Sequence, residues 1–130
     1  MANVKELMQA RNEKLQKIEQ YGINPHPERY ETTHEIGAAR LLEDGTKDIS
    51  IAGRIMSKRK MGKIAFLDLS DVTGHIQLVM KRDDFPEGEY KKFHEITDIG
   101  DFVGVKGEIF TTQAGEKSLE VYSFEFLGKS

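Results

Sequence analysis

From Ile49 onward the hydrophobic pattern repeats every two residues, and that period leaves a chain of this size few folds. Ile49, Ile51, Gly53 and Ile55 alternate with Ser50, Ala52, Arg54 and Met56, as in a strand with one face on a core. Gly53 in the middle predicts a bulge or a tight bend. The strand continues through the charged run Ser57–Lys60 and stops at Met61-Gly62. A second strand is predicted over Lys63–Ser70. After a turn at Thr73-Gly74, a third runs over His75–Lys81. Phe85-Pro86-Glu87-Gly88 reads as a turn and Glu89–Ile96 as a short helix. A fourth strand is predicted over Asp101–Thr111, with Val103, Val105 and Ile109 on one face. Ala114-Gly115 is the turn of a hairpin, and Ser118–Phe126 is its second arm.

The period ahead of this region is different. Val4, Leu7, Met8, Leu15 and Ile18 lie at helical spacing, Asn3 and Glu6 resemble a capping box, and Gly22 and Pro25 stop the helix. Arg11 falls on the edge of its apolar stripe. Residues 23–46 read as a connector in which Thr32 and Glu35 predict the cap of a short helix running to about Leu42. We therefore divide the chain into residues 1–46, a helix and connector, and residues 47–130, a barrel. The order helix, then β-β-β-α-β-β, predicts an all-β fold: the five-stranded Greek-key barrel called the OB-fold, with an N-terminal helix and a short helix between strands three and four. An SH3-like barrel lacks a helix at that point.

Composition narrows the function. The chain has 130 residues, 38% hydrophobic and 32% charged, which suits one domain with a single core. No apolar run approaches the roughly 20 residues of a membrane helix, and the polar start Met1–Ala10 does not read as a signal peptide. With no cysteine there is no disulfide, thiol nucleophile or Cys-based zinc site, and the cytosol is the expected compartment. His26, His34, His75 and His94 show no metal-ligand spacing and read as surface residues. Gly100, Gly104 and Gly107 lie in a strand with no helix after them, so they do not make a dinucleotide loop. Asp83-Asp84 reads as a solvated strand end. Residues 47–82 carry eight basic and three acidic side chains, although the whole chain has a net charge of -3. A basic block inside an acidic protein points to a local anionic ligand.

Strand parity then places candidate binding residues. Ala65, Leu67 and Leu69 on the second strand, with Ile76, Leu78 and Met80 on the third, form the core faces. Phe66 is left as an outward aromatic. A hairpin turning near 71–74 pairs even with odd positions, so Phe66 and Gln77 share the outer face, opposite or diagonal to each other. Lys58, Arg59 and Lys60 end the first strand and Lys63 starts the second. An exposed ring beside an amide, flanked by cations, is the equipment with which an OB-fold stacks a base, reads its edge and meets phosphate.

The string Ile51-Ala-Gly-Arg-Ile-Met-Ser-Lys-Arg-Lys-Met-Gly-Lys-Ile-Ala-Phe66, followed by Asp71-Val-Thr-Gly-His-Ile-Gln-Leu78, resembles the anticodon-binding domain of class II lysyl-tRNA synthetases. Arg11-x-x-Lys14-Leu15-x-x-Ile18, Gly22-Ile-x-Pro25, Asp98-Ile-Gly-Asp101, Gly104-Val-Lys-Gly107 and Gly115-Glu116 extend the resemblance over essentially the whole chain. Aspartyl and asparaginyl synthetases share the barrel, but the Ala-Gly-Arg-x-Met and Met-Gly-Lys strings favour the lysyl branch. The resemblance implies that Phe66 stacks on a base of the uridine-rich lysine anticodon. It implies that Arg59 and Gln77 hydrogen-bond base edges around the central uridine, and that Glu116 helps read a neighbouring base. Lys58 is expected to serve phosphate, and Lys60, Lys63 and Arg11 are further candidate phosphate contacts. The implied partner is the anticodon stem-loop of lysine tRNA. The implied parent is a homodimer that ligates lysine to tRNA, although the isolated domain could stand as a monomer. ATP and Mg2+ would belong to its catalytic domain, whose motifs do not occur in these 130 residues, so this chain is not expected to activate lysine. The other reading is a free-standing OB-fold that binds single-stranded nucleic acid or a protein without anticodon specificity.

Overall fold

A computed structural model describes residues 30–130. The expected N-terminal helix and Arg11 lie outside the described residues. The remaining elements are α1 (Ile36–Ala39), β1 (Ile49–Met61), β2 (Ile64–Asp71), β3 (Gly74–Lys81), a 3-10 turn (Arg82–Asp84), α2 (Glu89–Ile96), β4 (Phe102–Thr111) and β5 (Lys117–Gly128). The five strands close into a barrel in the order β1-β2-β3-β5-β4, with β1 and β4 pairing to complete it. All pairings are antiparallel except β3 with β5. This is the Greek-key barrel that the order of elements predicts, with α2 in its expected place.

The barrel is filled from the faces the alternation picks out. Ile51, Leu67, Leu69, Ile76, Leu78 and Val105 are all essentially inaccessible to solvent. Phe93 of α2 is also fully buried, so the helix closes one end of the core. Residues 30–48 pack against the wall. Ser50 donates a hydrogen bond to the Tyr30 hydroxyl at 2.8 Å, and the Tyr30 ring lies so close to Gly104 that a Cβ there would come within 2.4 Å of it.

Two local expectations are corrected. Gly53 does not mark the bulge. The register of β1 on β2 shifts between Ile55 and Ser57, leaving Met56 as the extra residue, half-exposed. Gly53 is needed instead for close approach, because a Cβ there would lie 2.5 Å from the Ser70 carbonyl oxygen. Nor does Thr32 cap α1. Its N-cap is Glu35, which makes no side-chain cap bond. The Ile36 amide donates instead to Asp71 Oδ2 at 2.9 Å, across from the β2–β3 turn.

Asp71 serves both ends of this contact. Its Oδ1 accepts from the Thr73 amide at 2.7 Å, the Thr73 hydroxyl at 2.5 Å and the Gly74 amide at 3.2 Å. Burial acts to raise the carboxyl pKa, but these hydrogen bonds outweigh it and hold the group below the ordinary aspartate range. A carboxylate held low stabilises the fold above its unfolded pKa of about 3.9, and that stability is lost as pH falls through the folded value. Asp71→Asn should therefore cost about 1–2 kcal/mol at neutral pH in urea unfolding. The curves of wild type and variant should converge as the pH falls below about 4.

Candidate nucleic-acid interface

The bulge at Met56 decides which cations face outward. Before it the odd residues of β1 point inward, as Ile51 and Ile55 do. After it the pairs are Ser57 with Asp68, Lys58 with Leu67, Arg59 with Phe66 and Lys60 with Ala65. Leu67 and Ala65 are core residues, so Lys58 and Lys60 lie over the core side, and Arg59 and Met61 turn outward. One extra residue re-aims a whole strand segment.

Arg59 meets a groove of about 690 Å³ on the outer wall of the barrel. Its floor and sides include Ile64, Phe66, Gln77, Val79, Phe110 and Glu116. Phe66 pairs with Val79 and Asp68 with Gln77, so Phe66 and Gln77 are diagonal neighbours on the same face. The Arg59 guanidinium carbon lies 5.8 Å from the centre of the Phe66 ring, within cation–π reach. The Gln77 amide makes no side-chain hydrogen bond among the described residues, which leaves its donor and acceptor available to a ligand. Glu116 sits on a loop that closes on itself. The Thr112 amide donates to the Glu116 carbonyl at 2.9 Å, and the Glu116 amide donates to the Thr112 hydroxyl at 3.1 Å. That clasp fixes where the carboxylate starts from while leaving it at the groove edge.

Arg59, Phe66, Gln77 and Glu116 are thus brought together. Lys58 is not part of this groove. Its ammonium donates to the Thr97 carbonyl and hydroxyl, both at 3.0 Å, and to the His94 carbonyl at 3.4 Å, satisfying the C-terminal end of α2. Lys60 lies 5.9 Å from the Tyr90 ring, on the α2 side of the rim. Lys63 is exposed in the β1–β2 turn and does not line the groove. Its carbonyl accepts from the Arg82 amide at 2.8 Å, so the Lys63 and Arg82 backbones meet beside that turn.

Other lining residues were not singled out from the sequence. Period two signals three of them: Ile64 and Val79 share the outer parity of Phe66 and Gln77, and Phe110 follows the core residue Ile109. Lys81 was read only as a strand end. Its ammonium lies 2.9 Å from Glu120 of β5, and hydrogen bonding to that carboxylate raises its pKa. The β3–β5 partnership is parallel and non-local, so nothing near either residue announces it.

The tRNA anti-codon family model, described as an OB-fold nucleic acid binding domain, matches residues 49–127. The chain belongs to this family. It is 42% identical to a lysine–tRNA ligase of Syntrophomonas wolfei over 131 residues, which cover 98% of this chain and 26% of that protein. It is 42% identical to a lysine–tRNA ligase of Porphyromonas gingivalis over 92% of this chain and 23% of that protein. It is 39% identical to one of Halalkalibacterium halodurans, covering 96% and 26%. The region matched is the N-terminal domain of lysyl-tRNA synthetases. This chain of the anticodon-binding OB-fold family spans about a quarter of the length of those relatives. Among the described residues, no helix is long and apolar enough to cross a membrane, and no group of three or more His, Cys, Asp or Glu is placed to hold a metal ion.

One histidine departs from the surface reading. Both ring nitrogens of His94 are buried without a hydrogen-bond partner among the described residues, and its ring stands edge-on to Tyr90 at 4.5 Å. Burial, and then the charges of Lys58 and Lys60, lower its pKa to about 4. The unfolded chain binds the proton first, near pH 6.5, so folding stability is complete above that pH and declines as the pH falls toward about 4. His94→Phe should remove this part of the pH dependence. Thermal unfolding followed from pH 7 to pH 4 should show a shallower decline in the variant.

Proposed function

We propose that the groove holds the uridine-rich anticodon of lysine tRNA. The domain would contribute tRNA selection to a lysyl-tRNA synthetase. The observation that carries this reading is the convergence of Arg59, Phe66, Gln77 and Glu116 on one wall of the barrel. Phe66 offers a stacking face, and a base on that ring gives up little solvation because the floor is already apolar. The Gln77 amide offers one donor and one acceptor side by side, which suits the Watson–Crick edge of uracil. Arg59 supplies further donors from a guanidinium held beside the same ring. Glu116 accepts from a neighbouring base. RNA is read this way from splayed single-stranded bases rather than from a helix groove.

The partner in this reading is the anticodon stem-loop. Lys60 and Lys63 are the candidate phosphate contacts at the rim. Within the parent enzyme, acting in the cytoplasm as a homodimer, ligation of lysine to tRNA would use ATP and Mg2+ in the catalytic region.

Phe66→Ala should weaken binding of a lysine anticodon stem-loop by about 1–3 kcal/mol, the usual loss for one base–aromatic stack. Fluorescence anisotropy would measure it, with circular dichroism to establish that the variant is folded. Gln77→Ala should instead compress the difference between the cognate loop and one carrying cytidine at the central position. Unchanged affinity in folded Phe66→Ala would remove the stacking role. Equal affinity of the wild type for both loops would favour a barrel that binds single strands without anticodon specificity.

A further inference from the structure

The groove carries charges of both signs. Arg59 and Lys81 line it, and so does Glu116. Lys81 is ion-paired at 2.9 Å to Glu120, which stands on β5 beside the groove residue Val79. Of the two cations, Lys81 is therefore paired with a carboxylate, while Arg59 stands over the Phe66 ring. The pair is half-exposed rather than buried, with the Lys81 side chain 49% and the Glu120 side chain 35% accessible. It is thus not needed to satisfy a buried charge, and the energy of such a pair is small. Its surroundings also disfavour placing a carboxylate there. Glu120 faces Glu108 directly across the β4–β5 ladder, and like charges at such positions repel. Asp84 is close as well: burial, and then the charge of Glu120, raise its carboxyl pKa. This carboxylate holds the ammonium at the groove wall with two like charges beside it, and it does nothing for the core.

We propose that the Lys81–Glu120 pair is a specificity element that withholds Lys81 from phosphate. This inference rests on the reading of the groove as a single-stranded RNA site. Sequence-independent affinity for nucleic acid comes from cations that neutralise phosphates and release counterions. With Lys81 engaged by Glu120, the described residues lining the groove offer a strand one further basic group, Arg59, which stands over the Phe66 ring. A strand whose bases do not fit then gains little from entering. A strand whose bases stack and pair their edges gains what phosphate contact does not supply. Glu120 thereby sets how much of the binding energy depends on base identity, although it lies off the faces that touch a base.

The test uses the whole chain and two probes, a lysine anticodon stem-loop and an abasic oligonucleotide of the same length, titrated by anisotropy between about 50 and 200 mM salt. Glu120→Gln frees the ammonium and keeps the side-chain shape. It should bind the abasic strand several-fold more tightly than wild type does, with a slope of log affinity against log salt steeper by about 0.7. The ratio of stem-loop to abasic affinity should fall. The double variant Glu120→Gln with Lys81→Met should lose both the gain and the extra slope, since the freed ammonium causes them. If Glu120→Gln leaves the abasic affinity and the slope unchanged while wild type binds the stem-loop, this inference is overturned and the groove reading stands. If the gain persists in the double variant, Glu120 acts through its own charge and Lys81 is not the group withheld. If wild type does not bind the stem-loop, the groove reading falls and the inference falls with it.

Discussion

In a closed barrel every side chain points either into the core or away from it, and a strand makes that choice for a whole segment at once. The groove depends on two such choices. On β2 and β3 the choice is set by the turn between them, where Asp71 binds the Thr73 and Gly74 amides and at the same time the first amide of α1. That turn fixes the pairing of Phe66 with Val79 and of Asp68 with Gln77. A slip of one residue would send Phe66 and Gln77 inward and expose Leu67 and Leu78. The buried leucines thus enforce the groove face as strongly as anything in the groove. A single carboxylate holds the hairpin in the register that this burial requires.

On β1 the choice is reversed part-way by one residue. Met56 is the bulge, and beyond it the inward and outward positions exchange. Without it Lys58 and Lys60 would face the groove, and Arg59 would sit over the core side. With it, the one planar, multidentate cation of that run faces the groove, and the ammonium of Lys58 ties the last turn of α2 to β1. Guanidinium and ammonium are not equivalent here: the first suits base edges and ring faces, the second suits a cluster of carbonyls. The sulfur side chain at the bulge points to solvent and needs no pocket, so the extra residue disturbs nothing behind it.

This explains what could be read from the residues and what could not. The core faces of β2 and β3, the span of α2 and the outward Phe66 all follow from period two and from short-range turn chemistry, which are local. Where Lys58 points does not, because a continuous alternation cannot reveal an inserted residue whose own side chain is exposed. The cap of α1 comes from Asp71, 35 positions away, so no local pair of residues encodes it. The burial of Val79 at 2% accessible on an outward position comes from Phe66 beside it and from β5 on its other flank. His94 looked like a surface residue because a short amphipathic helix shows its faces poorly. Its ring is covered by Tyr90 from the same helix and flanked by the lysines that the β1 bulge turned toward it.

These placements share one electrostatic consequence. The central basic block points to a local anionic ligand, but the fold sends that charge in several directions. Lys58 goes to helix carbonyls and Lys81 to Glu120, while Lys60 stays exposed at the rim on the α2 side. Among the described residues, what remains facing the groove is Arg59, beside an aromatic ring and the Gln77 amide. Phosphate contacts are equal for every sequence, whereas stacking and edge hydrogen bonds are not. In the proposed site, a wall that keeps a ring, an amide and a guanidinium at the groove would draw its binding energy from the terms that distinguish bases rather than from those that do not. The acidic side chains at the edge of this groove, Glu116 and Glu120, are consistent with that economy of charge: each lowers the attraction of a strand that merely carries phosphate.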